Sequence, residues 1–248
     1  MERVGAVLRQ IGSSASQGVT TAEVATSTGL PRSTAQRVLA ALASEGLVDR
    51  DPARGRWFLG PEMFLLGTVA AERYDVTQAA LETLAALAEQ TGESAFFSAR
   101  RGDETVCLAS REGSFPLRSH VLHDGIRFPL GVASAGLAIL AHLPLPEAEA
   151  YVRRRSAELA AGFGAEHDAT PLLRRIAATR RRGYAVNPGL IVPGSWGIGA
   201  VVFDRAGSPA WALSLTGVEA RLAGGRTAEL GSLLLDAAHA LSQRLGRR

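Results

Sequence analysis

The side chains best suited to direct chemistry lie between Thr21 and Arg56. Arg32, Ser33, Thr34, Gln36 and Arg37 fall in one stretch interrupted only by Ala35. Arginine can offer paired N–H groups to guanine, glutamine can pair with adenine, and serine and threonine hydroxyls suit phosphate oxygens. Thr21 stands ahead of this group, and Arg54 and Arg56 follow it. Residues 24–44 contain no Asp or Glu, so no acid in that stretch competes for these donors. Presented on one helix face, the set would recognise a nucleic-acid duplex. A solvated polar face on a small helical domain is the plainer alternative, and the absence of acids weakens it.

Hydrophobic spacing predicts the elements that must position these residues. Val4, Val7, Leu8 and Ile11 recur at helical intervals up to Gly12-Ser13-Ser14. Thr20 or Thr21 can cap a short second helix through Val24 and Ala25. Gly29-Leu30-Pro31 reads as a turn. Pro31 suits the first turn of a helix, where Ser33 or Thr34 can satisfy free N–H groups. The third helix then carries Ala35, Val38, Leu39, Leu42 and Ala43 on one side and Arg32, Ser33, Gln36 and Arg37 on the other, with Gly46 as its stop. Leu47–Arg50 and Arg56–Leu59 flank Asp51-Pro52-Ala53-Arg54-Gly55, a hairpin signal with a basic tip. Helices and hairpin in this order form a winged helix-turn-helix, with Arg54 and Arg56 where a wing would meet the DNA backbone or minor groove.

Beyond the hairpin, residues 62–73 read as a helix whose apolar residues Met63, Phe64, Leu65, Leu66, Val69 and Ala70 cover more than one face. Asp75 can cap the next helix, with Gln78 three residues on, and Gly92 ends it. Strands are expected at Ser94–Arg100, Glu104–Arg111, Phe115–Leu122, Tyr184–Asn187, Gly197–Phe203 and Ala210–Thr216. Helices are expected at Ala133–Leu143, Glu147–Ser156 and from Thr170-Pro171 to Gly183. The C-terminal repeat Leu230, Leu233, Leu234, Ala237, Ala238, Leu241 and Leu245 predicts the clearest helix of all. The expected fold class is therefore mixed α+β.

Other reactive side chains suggest little chemistry. His120 and His123 lie near Asp124, but a metal site would want them on a helix, and the region reads as strand and turn. Polar surface or a pocket edge is expected, with no metal and no cofactor. Cys107 sits within a strand and reads as a small buried residue. Arg153-Arg154-Arg155 and Arg180-Arg181-Arg182 read as solvated helix faces, the second also favoured by the dipole of a helix C-terminus. Gly194-Ser195-Trp196-Gly197 is not a G-x-S-x-G elbow, and no His–acid pair is evidently placed to activate Ser195. A hydrolase using Ser195 is a remote alternative, and no catalytic residue is assigned.

Composition sets the remaining bounds. The 248 residues are 46% hydrophobic and 21% charged, which suits one or two globular domains with a substantial core. All 27 basic residues are Arg, yet the net charge is only +3. Bulk charge therefore argues nothing, and any DNA contact must come from local placement. The single cysteine excludes an intrachain disulfide and fits a reducing, cytoplasmic setting. The N-terminal segment lacks a signal-peptide core, and no apolar run is long enough to suggest a membrane partner.

In this setting Gly29-Leu30-Pro31-Arg32-Ser33-Thr34, Arg37-Val38-Leu39, Leu42 and Glu45-Gly46-Leu47-Val48 resemble the winged helix of IclR-type regulators. The likeness continues in order through Trp57-Phe58-Leu59-Gly60-Pro61, Arg182-Gly183-Tyr184, Val201-Val202-Phe203-Asp204 and Ala212-Leu213-Ser214-Leu215-Thr216-Gly217. The resemblance implies a DNA-binding domain at 1–60 and a linker helix at 61–74. It implies a GAF-like effector-binding and oligomerisation domain at 75–248, a mixed sheet wrapped by helices. It further implies a double-stranded DNA operator as partner, homodimers or homotetramers, and a small organic effector, often a carboxylate or aromatic acid.

The family's pocket maps onto Phe128 through Gly136, with Ser134, Ala135 and Gly136 opening a helix whose free N–H groups favour an anion. It also maps onto Asn187, Ser195, Trp196 and Gly197, and onto Ser214 and Thr216, which alternate on one strand and so face one side. Departures from the family pattern stand at Asn187 for an acid, Gly197 for Cys, Leu137 for a basic residue and Gly131 for His. They imply a less charged pocket reshaped by Trp196. A ligandless oligomerisation domain is the alternative, in which Ala133, Ala135 and Gly136 serve tight helix packing.

Overall fold

The structure is a computed structural model and describes residues 2–14, 17–73 and 76–246. The chain divides into two compact units, Met1–Asp75 and Val76–Arg248. The expected cap at Asp75 lies outside the described residues. No helix among the described residues is long and apolar enough to cross a membrane.

The first unit contains α1 (Glu2–Ser13), α2 (Thr21–Thr28), α3 (Arg32–Ser44), β1 (Val48–Asp51), β2 (Arg56–Leu59) and α4 (Pro61–Arg73). Val7, Ile11, Val24, Ala35, Leu39 and Leu42 project from the three helices into one buried cluster closed by Val48 and Trp57. The predicted helical stripes therefore meet. Thr20 caps α2 in a capping box with Glu23. Gly29 ends α2 in the left-handed region at φ 65°, the chain reversal that lets α3 start at once. Pro31 is the N-cap of α3 rather than a residue within its first turn. Strands β1 and β2 pair antiparallel from Val48↔Leu59 to Asp51↔Arg56, and Val19 bridges Trp57 beyond them. Helix α4 leaves Phe64, Leu65, Leu66 and Val69 exposed, with Phe64 at 75% and Val69 at 68%.

The second unit is a six-stranded sheet in the order β5-β4-β3-β8-β7-β6. Its strands are β3 (Ser94–Arg101), β4 (Glu104–Arg111), β5 (Arg127–Pro129), β6 (Ala185–Pro188), β7 (Ser195–Phe203) and β8 (Pro209–Val218). Every strand pairing is antiparallel, so the mixed sheet expected from the resemblance is corrected to an antiparallel one within the α+β class. Helices α5 (Val76–Thr91) and α10 (Gly225–Gly246) pack on one face against Phe97, Ile198, Val202, Leu213 and Leu215. Helices α6 (Ser134–His142), α7 (Leu145–Phe163) and α8 (Ala169–Arg182) meet Val201 and Ala212 on the other. Period-two alternation along β7 and β8 thus feeds two separate cores. Each fully buried leucine in them contributes ~1.5–3 kcal/mol relative to exposure. A short helix, α9 (Glu219–Leu222), joins β8 to α10.

Two sequence expectations are revised. Residues 115–122 form no strand, because the edge of β4 that they would need is occupied by β5 and by the 125–126 backbone. Cys107 N–H donates to the Ile126 carbonyl at 3.0 Å, and Gly125 N–H to the Cys107 carbonyl at 2.8 Å. Helix α7 runs on to Phe163 rather than ending at Ser156, since residues 157–161 are Ala, Glu and Leu, all good helix formers.

Candidate nucleic-acid interface and ligand cleft

In the first unit, Ala35, Leu39 and Leu42 are buried, and Arg32, Ser33, Gln36 and Arg37 lie exposed on the opposite face of α3. Thr34 is half-buried. Arg32 and Arg37 form no ion pair among the described residues. No side chain caps the N-terminus of α3, so Ser33 and Thr34 do not satisfy its first N–H groups as anticipated. Those N–H groups, with the positive end of the helix dipole, remain suited to a phosphate.

The hairpin divides its two arginines. Arg54 sits at the tip, where Asp51 Oδ1 accepts from the backbone N–H groups of Ala53 and Arg54 at 2.9 and 3.1 Å. Its guanidinium is only loosely paired with Asp51, at 3.9 Å. Arg56 opens β2 directly after the turn, opposite Asp51. It donates to the Gly18 carbonyl at 2.9 Å and stands 3.6 Å from the Glu23 carboxylate. Glu23 is held below the usual carboxylate range chiefly by the Thr20 backbone N–H, then by the Thr20 hydroxyl and Arg56. Thr21 faces inward as well: its hydroxyl accepts from Trp57 Nε1–H at 3.0 Å and donates to Gln36 Oε1 at 3.1 Å.

In the second unit, Asn187, Gly197 and Thr216 lie side by side in register across β6, β7 and β8. The first turn of α6 rests on this row. Glycine is required there: a Cβ on Gly199 would stand 2.6 Å from the Ser134 carbonyl carbon, and one on Gly197 would stand 3.0 Å from Ser134 Oγ. Between helix and strands is a small cleft with an internal volume of about 20 Å³. It is narrow, with Val121 and Leu122 of the β4–β5 connection and Ile191 completing its wall.

The structure brings Ser134, Asn187, Ser195, Trp196, Gly197 and Thr216 to this cleft. Phe128, Ala135, Gly136 and Ser214 lie off its lining. Phe128 packs edge-on to Phe163, with ring centroids 6.3 Å apart. Ser214 is fully buried one alternation along β8 from Thr216. Trp196 lines the rim and also packs against the core beneath α5 and α10.

Polar satisfaction separates these residues. Asn187 is fully engaged: Nδ2 donates to the Val132 carbonyl at 2.7 Å and Oδ1 accepts from Leu190 N–H at 2.9 Å. Ser195 Oγ shares a 2.5 Å hydrogen bond with Ser119 Oγ, and no histidine contacts it among the described residues. Thr216 Oγ1 and Ser214 Oγ are buried without a hydrogen-bond partner among the described residues. The lining carries no ionisable side chain.

Val121, Leu122 and Ile191 escape sequence reasoning because the first two fall in a stretch that reads as a strand. Turn residues at Gly113, Pro116 and Gly125 are the signal that they belong to a connection. His120 is exposed, and His123 Nδ1 lies 3.0 Å from the Asp124 carbonyl. Cys107 is buried as expected, its thiol pushed up to about 12 chiefly by desolvation. Arg180 departs from a solvated face: it donates to the Ala141 and Leu143 carbonyls at 2.5 and 3.0 Å, at the C-terminal end of α6.

A winged helix with an exposed polar face on α3, in one chain with a sheet domain that carries a cleft, defines a DNA-binding transcriptional regulator. The family model described as the IclR helix-turn-helix domain matches residues 1–52, and that described as bacterial transcriptional regulator IclR C-terminal matches residues 68–243. The chain belongs to the IclR family. It is 31% identical over 249 residues to the glycerol operon regulatory protein of Streptomyces coelicolor, covering 99% of this chain and 96% of that one. Among solved structures it matches an IclR regulator from Alicyclobacillus acidocaldarius with a TM-score of 0.78 and 26% identity, over 98% and 96% of the two chains. It also shares the fold of an IclR homologue from Microbacterium hydrocarbonoxydans complexed with 4-hydroxybenzoate. There the TM-score is 0.77 at 22% identity, over 99% of this chain and all of the other.

Proposed function

We propose that this regulator reads its operator through Arg32, Ser33, Gln36 and Arg37 on α3, with Thr34 and Arg54 on the phosphate backbone. Thr21 and Arg56 serve the interface from behind, Thr21 by holding Gln36 and Arg56 by tying the start of β2 to Gly18 and Glu23. Residues 1–60 act as the DNA-binding domain, 61–74 as a linker helix and 75–248 as the effector domain. The exposed apolar residues of α4 suit packing against a second copy of the chain, in a homodimer or homotetramer working in the cytoplasm.

Operator affinity on this reading responds to a small organic acid in the cleft. The observation that carries it is Thr216, a residue that lines the cleft beside Ser134 and whose buried hydroxyl has no hydrogen-bond partner among the described residues. A carboxylate there would accept from the hydroxyl and from free helix N–H groups, and its apolar body would lie against Ile191, Leu122 and Trp196. The uncharged lining suits a monoanion. The fold relative that holds 4-hydroxybenzoate lends support to an aromatic acid as the first compound to try.

A gel shift on the duplex upstream of the protein's own gene tests the reading. Specific binding is expected, altered by an organic acid and abolished by the triple substitution Arg32→Ala, Gln36→Ala and Arg37→Ala, each lost base contact costing ~1–3 kcal/mol. Intact operator affinity in a folded triple variant would refute α3 as the reading helix.

A further inference from the structure

Gln36 is not a freely rotating side chain on α3. Trp57 Nε1–H, donated from within β2, points at Thr21 Oγ1 at 3.0 Å, and Thr21 passes its single hydroxyl proton to Gln36 Oε1 at 3.1 Å. The indole is fixed by burial at 3% exposure, and its backbone bonds Val19 in both directions, at 3.0 and 2.7 Å. An indole N–H can only donate, so the threonine oxygen must accept from it and has its proton left to give. Turning the Gln36 amide over would aim a second donor at the threonine oxygen and give up the bond its proton makes here. The chain of donors therefore sets which end of the amide faces α2. The oxygen is turned to Thr21, and the amide nitrogen has no protein partner among the described residues.

We infer that Thr21 and Trp57 are positioning residues that present Gln36 to DNA as a hydrogen-bond donor, directing it to guanine. This rests on the reading of α3 as the DNA-reading helix and deepens it. Glutamine pairs with adenine by accepting from N6–H while donating to N7, and here Thr21 already occupies one lone pair of that oxygen and holds the carbonyl toward α2. A nitrogen that can only donate suits the major-groove edge of guanine, where N7 and O6 both accept, better than that of adenine, where N7 accepts and N6–H2 donates. The base expected from residue type alone, adenine, thus gives way to guanine once the orientation of the amide is known.

Selection from a randomised duplex library by the full-length protein tests this. Wild type is expected to enrich a site in which one position selects guanine and loses that preference in Gln36→Ala. Thr21→Val, which keeps the shape and removes the hydroxyl, is expected to cut the guanine-over-adenine preference at that same position by about tenfold while the rest of the site persists. Thr21→Ser, which keeps the hydroxyl, is expected to restore it. Should Thr21→Val fail to fold, as monitored by circular dichroism, Thr21→Ser and Gln36→Ala still decide the matter. Adenine at the Gln36-dependent position, loss of the preference in Thr21→Ser, or an unchanged preference in folded Thr21→Val would overturn the inference. Failure of wild type to enrich any sequence would instead overturn the DNA-reading role of α3, and the inference with it.

Discussion

Glu93, only 1% exposed, accepts from both Nε and Nη2 of Arg221, at 2.8 and 2.9 Å. The pair ties the start of β3 to α9, and Arg226 stands 3.7 Å from the same carboxylate. Arg221 also lies over the Phe115 ring at 4.2 Å and donates to the Leu117 carbonyl at 2.9 Å. One ion pair therefore anchors the connection that carries Val121 and Leu122 to the cleft wall. Arg221→Ala leaves a buried carboxylate with a single distant cation, and breaking a buried pair costs ~3–5 kcal/mol. Partial exposure of Arg221 and the remaining Arg226 place the expected loss at about 3 kcal/mol, measured by urea unfolding. Amide hydrogen exchange in residues 112–126 should accelerate at the same time.

Thr216→Val separates function from stability. The hydroxyl has no internal partner, and an unsatisfied buried polar group costs ~1–3 kcal/mol. Removing it with a side chain of the same shape should leave the melting temperature unchanged or raise it. A ligand that accepts from the hydroxyl would nevertheless bind about tenfold more weakly, the equivalent of one lost hydrogen bond of ~1.4 kcal/mol. Calorimetric titration with 4-hydroxybenzoate or related acids gives the affinity. A lower melting temperature would mean that the hydroxyl has a structural role instead.

His167 gives the effector unit a sensitivity to acid. The ring is fully buried beside Phe163, close to the Gly164, Phe163 and Val132 backbone. Burial first, and the Arg175 guanidinium second, lower its pKa below 6.5. The unfolded chain therefore binds the proton more readily than the folded one. This contribution to stability is complete above about pH 6.5 and is lost as pH falls toward the folded value. Unfolding free energies between pH 8 and pH 5 should show this decline, and His167→Leu should flatten it. An equal decline in the variant would place the acid sensitivity elsewhere.

Much of this was legible in the sequence because the relevant signals are local. The apolar stripe of α3, the Gly29 turn and the Asp51–Gly55 tip need only neighbouring residues to be read, and the hairpin register follows from them. What escaped depends on partners far apart in the chain. Arg56 is bound by Gly18 and Glu23, and Thr21 by Trp57 and Gln36, so residue type alone gives no indication of which of them is free for DNA. Residues 115–122 have strand-like composition, yet the competing backbone at Gly125 and Ile126 takes their edge of β4. The same limit applies at the cleft: Asn187 and Thr216 look equally available as polar residues, and only long-range hydrogen bonding shows that one is spent and the other free.

The approach of α6 to the sheet supplies the last prediction. At Gly199 an added Cβ would meet the Ser134 carbonyl carbon at 2.6 Å and the Ala135 nitrogen at 2.9 Å, all of it backbone. No side-chain rotation relieves such a contact, so Gly199→Ala must lift the first turn of α6 away from β7. Overpacking of this kind costs ~1–3 kcal/mol. The displaced turn is also the one that brings Ser134 to the cleft beside Thr216, so ligand affinity should fall together with stability. Gly207→Ala serves as the comparison. It has a positive φ of 75° but nothing within 4 Å of an added Cβ, and it lies in the β7–β8 turn. It should lose stability through backbone strain alone and keep its ligand affinity. If both variants lost affinity equally, the effect would track global stability, and the close seating of α6 on Gly199 would have no particular bearing on the cleft.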